Sequence, residues 1–148
     1  MPLILIDTNI LIYSIDPLDP IKQERALGIL EYLQTAGLGC LSVQCLSEFA
    51  AVSTRRIKPP LPWANVYIEA NRLAKSFHVY PLTEQIVLTA IRGARDFQLS
   101  YYDAQLWATA LLNQVSVIFS EDFSSGSSIE GVRLINPFAA QFKLADWQ

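Results

Sequence analysis

Leu3-Ile4-Leu5-Ile6-Asp7-Thr8-Asn9 is the stretch on which the fold turns. Four consecutive aliphatic residues, two of them β-branched, have the pattern of a short strand buried on both faces. The run ends abruptly in a carboxylate, a hydroxyl and an amide. Apolar residues at helical spacing follow at once: Ile10, Leu11, Tyr13 and Ile15. In an open parallel sheet, ligands collect beyond the carboxyl ends of the strands, so Asp7 lies where chemistry is usually placed. The plainer alternative is that Asp7 or Thr8 caps the helix that follows. The other acids of the chain must decide.

Outward from this strand, helical spacing runs to Ile15 and is broken by Asp16-Pro17-Leu18-Asp19-Pro20, since proline disfavours helix in the residue before it. Asp19 as N-cap and Pro20 as first helical residue start a second helix. It turns Ala26, Leu27, Leu30 and Leu33 inward, presents Lys22, Gln23, Glu24, Arg25 and Glu31 to water, and stops at Gly37. Leu38 to Leu41 reads as the second strand, and Ser42 caps a third helix reaching about Arg56. After the loop Ile57-Lys58-Pro59-Pro60-Leu61-Pro62 comes a fourth helix to Phe77, with Trp63, Val66, Tyr67, Ala70, Leu73 and Ala74 at helical spacing. His78 to Leu82 is the third strand, Thr83 caps a fifth helix to Phe97, and Ser100 opens a sixth that ends near Asn113. Val115 to Phe119 is the fourth strand, Ser124 to Ser128 a flexible-looking turn, and Val132 to Ile135 the fifth strand. Short apolar strands alternating with helices predict an α/β fold, a three-layer α/β/α sandwich around a five-stranded parallel sheet.

The totals agree. A chain of 148 residues, 51% hydrophobic and 17% charged, suits one globular domain over residues 1–148. No apolar run approaches the roughly 18 residues needed to cross a bilayer, and no basic segment precedes the first strand, so a cytoplasmic protein is expected. Cys40 and Cys45 read as small core residues. With one distant histidine they make neither a disulfide framework nor a zinc site. The net charge of −3 argues against a general nucleic-acid binder. That argument weakens if acids gather around a divalent ion, which would reverse the local field.

Four acids stand out. Asp7 ends the first strand, and Asp122 follows the fourth after Ser120 and Glu121, so two strand ends deliver acid to one rim of the sheet. Asp103 occupies the third position of the helix begun by Ser100, where it can complete a capping box and favour the helix dipole. It also shares a face with Leu106, Trp107 and Ala110 on a helix apolar nearly all round. A desolvated acid there needs a cation or several donors, and that reading outweighs the cap. Glu48 is the lone charge between Glu31 and Arg55. By itself it reads as a solvated surface residue, but the first turns of its helix follow a strand end on the same rim. Carboxylates converging on one rim repel unless divalent cations hold them, and oxygen-only donors point to Mg²⁺ or Mn²⁺. The chemistry implied is metal-assisted phosphodiester hydrolysis.

Together these motifs resemble the PIN-domain ribonucleases, in particular VapC-type toxins of toxin–antitoxin pairs. They are the strand leading to Asp7-Thr8-Asn9, Leu46-Ser47-Glu48-Phe49, Tyr102-Asp103-Ala104, Ser120-Glu121-Asp122-Phe123, and the closing stretch from Ile129 to Phe138. The resemblance covers essentially the whole chain and implies a parallel sheet of order 3-2-1-4-5. It implies Asp7 and Asp103 as principal Mg²⁺ ligands, Glu48 and Asp122 as the rest of the acidic cluster, and Asn9 as the amide steadying Asp7. Ser120 stands where the family more often has threonine, with the same orienting job. Glu121 is an additional acid, which leaves open whether it or Asp122 faces the metal. The resemblance also implies a homodimer, and an antitoxin that places a basic side chain among the acids.

For RNA, Arg55, Arg56 and Lys58 after the Glu48 helix, and Arg92 and Arg95 on the fifth helix, are candidate phosphate contacts. Each one alone reads better as part of a solvated face. A phosphatase of the haloacid dehalogenase type needs an aspartate where this chain has Asn9. A response-regulator receiver needs one after the third strand, where Pro81-Leu82-Thr83 stands. An inactive PIN-like binding module and a solitary RNA-processing nuclease stay open beside the toxin.

Overall fold

The computed structural model describes residues 2–123 and 125–148. The strands are β1 (Ile4–Ile6), β2 (Gly39–Ser42), β3 (His78–Tyr80), β4 (Val117–Phe119), β5 (Ser127–Ile129) and β6 (Val132–Ile135). The helices are α1 (Thr8–Tyr13), α2 (Pro20–Ala36), α3 (Val43–Arg55), α4 (Trp63–Ser76), α5 (Glu84–Phe97) and α6 (Tyr101–Leu112), followed by a 3-10 turn at Leu144–Trp147. The sheet order is β3-β2-β1-β4-β6-β5. Five strands run parallel, with Leu5 opposite Cys40 on one side and Ile118 on the other.

The expected sheet is therefore present as β3-β2-β1-β4-β6, and the correction is a sixth strand. β5 pairs antiparallel with β6 and occupies part of the segment read as a serine-rich turn; Ser124, with which that turn was to begin, lies outside the described residues. The hairpin turns at Glu130 and Gly131, both at positive φ (49° and 87°). Positive φ at both central residues belongs to the turn whose twist matches that of the flanking strands.

Local chemistry sets the element ends. Asp19 accepts from the Lys22 backbone N–H at the start of α2, and Gly37 ends that helix in the left-handed region at φ 69°. Ser42 caps α3 through the Cys45 N–H, and Thr83 caps α5 through the Ile86 N–H. Each such side chain satisfies a donor that the helix cannot pair internally. Ser100 precedes α6 but makes no capping hydrogen bond, so the capping box open to Asp103 does not form.

The core gathers around β1, every residue of which is fully buried, and α6, buried from Ala104 to Ala110. Trp107 on α6 lies so close to α5 that a Cβ at Gly93 would come within 2.6 Å of its indole. Its Nε1 donates to the Ile129 carbonyl at 3.1 Å, tying the β5–β6 hairpin to the core. One inward assignment needs correction, and helical spacing on α4 does not mean burial. Leu27 on α2 is 50% exposed, and on α4 Trp63 and Tyr67 are 68% and 73% exposed. Ala74 is exposed too, so α4 rests on Val66 and Leu73. Cys40 and Cys45 are buried and unpaired, as expected of core residues.

Candidate active site

Because β1 and β4 run parallel side by side, both release their chains on the same rim. The ladder continues one step beyond them, with Asp7 N–H donating to the Phe119 carbonyl and Ser120 N–H to that of Ile135. This brings the two residues following β1 and β4 into contact. Ser120 Oγ donates to Asp7 Oδ2 at 2.6 Å, while Asp7 Oδ1 accepts from the Thr8 N–H at 2.7 Å. Asp7 thus caps α1 and faces the rim at once; the two readings of this residue are compatible. Asn9 spans the junction, its Nδ2 reaching Asp7 Oδ2 (3.4 Å) and Ser120 Oγ (3.3 Å), and its Oδ1 accepting from the Glu121 N–H. The Asp122 N–H donates to Ser120 Oγ. Asn9 and Ser120 therefore fix the backbone that carries Asp122.

Asp7, Asp103 and Asp122 each offer a carboxylate oxygen, and the three oxygens lie within 4.8 Å of one another. The residues come from the end of β1, the first turn of α6 and the segment after β4. Glu48 stands outside this triad but lines the same cleft, held by Gln44 Nε2 donating to its Oε1 at 2.7 Å. Gln44 is itself anchored by Gln105 Nε2, and Gln105 by the Tyr101 hydroxyl. Neither glutamine was identified from sequence, because an amide relay between α3 and α6 leaves no local pattern.

Burial, reinforced by charge crowding, is visible in the acidities. Burial, opposed by the hydrogen bonds from Ser120 and Thr8 and reinforced by Asp122 and Glu48, lifts the Asp7 carboxyl from 3.8 to about 7. Asp122 is raised as well, first by burial and then by the charge of Asp103. Without a cation Asp7 takes up a proton near neutrality. The Thr8 hydroxyl is buried beside the Cys45 thiol, which burial pushes up to about 12. Three convergent hard oxygen donors, one of them pushed by burial toward neutral pH, fit a hard divalent ion. Neither the neutral Cys45 thiol nor the lone His78, exposed on β3, joins the set.

The sequence left open which of Glu121 and Asp122 faces the triad. Asp122 belongs to it, whereas Glu121 turns toward α1 and α2. There its Oε1 accepts from the Tyr13 hydroxyl at 2.6 Å and its Oε2 pairs with Lys22 Nζ at 2.5 Å. Lys22, expected to face only water, is thus part of the rim.

The cleft beside the acids has a volume of about 340 Å³ and continues past Ile12, Val52 and Ile57 to Asp16 and Arg56. Of the five basic residues considered for RNA, Arg56 lines it; Arg55 and Lys58 are exposed nearby in the chain. Arg92 and Arg95 are occupied elsewhere, paired with Glu130 and Asp96 at 2.7 Å each.

Residues 4–124 match the family described as PIN domain. No curated protein matches the chain in sequence. Among solved structures, the chain is similar to a toxin–antitoxin complex from Klebsiella pneumoniae, at 20% identity and TM-score 0.60, over 90% of this chain and 97% of that one. It is similar to VapC20 of Mycobacterium tuberculosis, a sarcin-ricin-loop-cleaving toxin, at 18% identity and TM-score 0.63, over 86% and 97% of the two chains. VapBC2 from Rickettsia felis, bound to a promoter DNA fragment, matches at 11% identity and TM-score 0.66, over 89% and 96%.

Proposed function

The chain belongs to the PIN-domain family, and from that premise we propose that it is a metal-dependent endoribonuclease and the toxin of a toxin–antitoxin pair. The observation that carries this reading is the meeting of Asp7, Asp103 and Asp122 oxygens within 4.8 Å. Among the described residues, none of the ion pairs involves those three acids. In this reading they hold Mg²⁺ or Mn²⁺. Such an ion supplies positive charge to phosphoryl oxygens and acidifies water.

The chain's own residues do the rest. Ser120 and Asn9 keep Asp7 turned toward the rim, and Ser120 favours its ionised form. Glu48, oriented by Gln44, receives the proton of the attacking water. That water forms the new P–O bond as the bond to the leaving ribose oxygen breaks, and the departing oxygen takes its proton from solvent. Arg56, on the cleft wall, takes a flanking phosphate of the RNA strand. The exposed apolar side chains Trp63, Tyr67 and Ile68 on α4, and Leu88 and Ile91 on α5, support protein partners: a second copy of the chain and a small antitoxin with a basic segment. The nuclease acts in the cytoplasm. Among the described residues no helix is long and apolar enough to cross a membrane.

The test is cleavage of a mixed RNA by purified protein in Mg²⁺ and in EDTA, beside Asp7→Asn and Asp103→Asn. Cleavage is expected in Mg²⁺ alone, with each variant slower by at least about a hundredfold. Variants that cut as fast as the unaltered protein would overturn the mechanism. An inert unaltered protein would favour a binding module.

A further inference from the structure

We propose that Lys22 is a positioning residue of the acidic centre: with Tyr13 it holds Glu121 back from the metal, so that Asp122 alone from this segment serves as ligand. The inference rests on the triad being a divalent-cation site and goes beyond it to the element that sets its donor number and charge.

Glu121 and Asp122 are consecutive, and both line the cleft. Glu121 is close enough for its charge to act on Asp122. The triad nonetheless contains one of them, because both oxygens of Glu121 are taken, one by the Tyr13 hydroxyl and one by Lys22. Lys22 Nζ also lies 3.2 Å from Tyr13 Oη and 4.7 Å from the centre of the Tyr13 ring, with Phe138 edge-on to that ring at 4.9 Å. The ammonium is thus located by an aromatic wall as well as by the carboxylate. Lys22 stands on the first turn of α2, whose start is fixed by Asp19 and Pro20. The pair is only partly exposed, at 34% and 27%, so solvent screens it less than a free surface pair.

Two consequences follow. With Lys22 present, Glu121 adds no net charge to the cleft and no ligand to the ion. Without Lys22, a fourth carboxylate becomes free beside the other three. It attracts a divalent cation and can occupy a coordination position that water would otherwise take.

The experiment is calorimetric titration of Mn²⁺ into the unaltered protein, Lys22→Met, Glu121→Gln and the double variant, with RNA cleavage measured on each. Lys22→Met is expected to bind Mn²⁺ about threefold to tenfold more tightly and to cleave more slowly. Glu121→Gln leaves the ammonium uncompensated beside the triad and should bind severalfold more weakly. The double variant, neutral at both positions, should return toward the unaltered affinity. Tyr13→Phe removes one hydrogen bond and should move affinity in the direction of Lys22→Met by less, which keeps the test available if Lys22→Met folds poorly. A merely structural ion pair would lower melting temperatures and leave Mn²⁺ affinity alike in all variants, and that result overturns the role of Lys22. Failure of the unaltered protein to bind Mn²⁺ would overturn the cation site itself.

Discussion

Replacing Asp7 by asparagine should stabilise the metal-free protein, and more strongly the higher the pH. Asp7 is 7% exposed, and burial lifts its carboxyl from 3.8 to about 7. The unfolded chain releases this proton from about pH 4 upward, while the folded chain retains it until about pH 7. Stability linked to Asp7 is therefore full below the unfolded value, is lost as pH rises between the two, and levels off above the folded value. Each pH unit in that window removes about 1.4 kcal/mol, so some three units set a ceiling of about 4 kcal/mol. Between pH 5 and pH 8 the same arithmetic gives about 2 to 3 kcal/mol, or about 5 to 10 °C in Tm for a chain of this size.

The asparagine variant keeps an acceptor for the Thr8 N–H but loses the one that Ser120 uses, an offset of about 1 kcal/mol at every pH. The assay is thermal unfolding of both proteins in EDTA across this range. The gap between them should widen by the 2 to 3 kcal/mol just derived, and Mg²⁺ should restore the unaltered protein alone. Asp122, raised first by burial and then by the charge of Asp103, tilts both curves together. A constant offset from pH 5 to pH 8 would refute the argument, because it would mean that Asp7 carries no buried charge.

Ser120→Ala removes the hydroxyl that donates to Asp7 at 2.6 Å and favours its ionised form. The Asp7 carboxyl then rises further, and the acid limb of the pH–rate profile should move to higher pH by about half a unit to one unit. An unmoved limb would separate Ser120 from Asp7 ionisation. Gly93→Ala places a methyl group against the Trp107 indole and should cost about 1 to 3 kcal/mol of stability, read by denaturant unfolding; a neutral result would show that α5 and α6 can part without strain.

Much of this molecule is legible residue by residue. Asp19, Gly37, Ser42 and Thr83 punctuate the helices where their side chains or glycine geometry require. The apolar runs of β1 and β4 identify central strands, and the rule that ligands gather at strand carboxyl ends brings Asp7 and Asp122 together. β5 escaped because Ser127 and Ser128 are exposed and polar, and Glu130-Gly131 lacks the usual Asn-Gly or Asp-Gly hairpin signal. The outward face of α4 escaped because Trp63 and Tyr67 keep helical spacing whether covered by this chain or not. The Lys22–Glu121 pair joins residues 99 positions apart, which no local pattern encodes. For the same reason the choice between two adjacent acids was invisible until their partners could be seen.

The pairing of β1 with β4 also bears on synthesis. A growing chain presents Asp7 to water as soon as it leaves the ribosome, but the serine that orients Asp7 and the strand that buries it are made more than a hundred residues later. A truncated or stalled product ending before β4 holds at most Asp7, Glu48 and Asp103, with no Ser120 and no Asp122. For an enzyme proposed to destroy RNA, this delays any danger to its own message until the codons for Ser120 and Asp122 have been read.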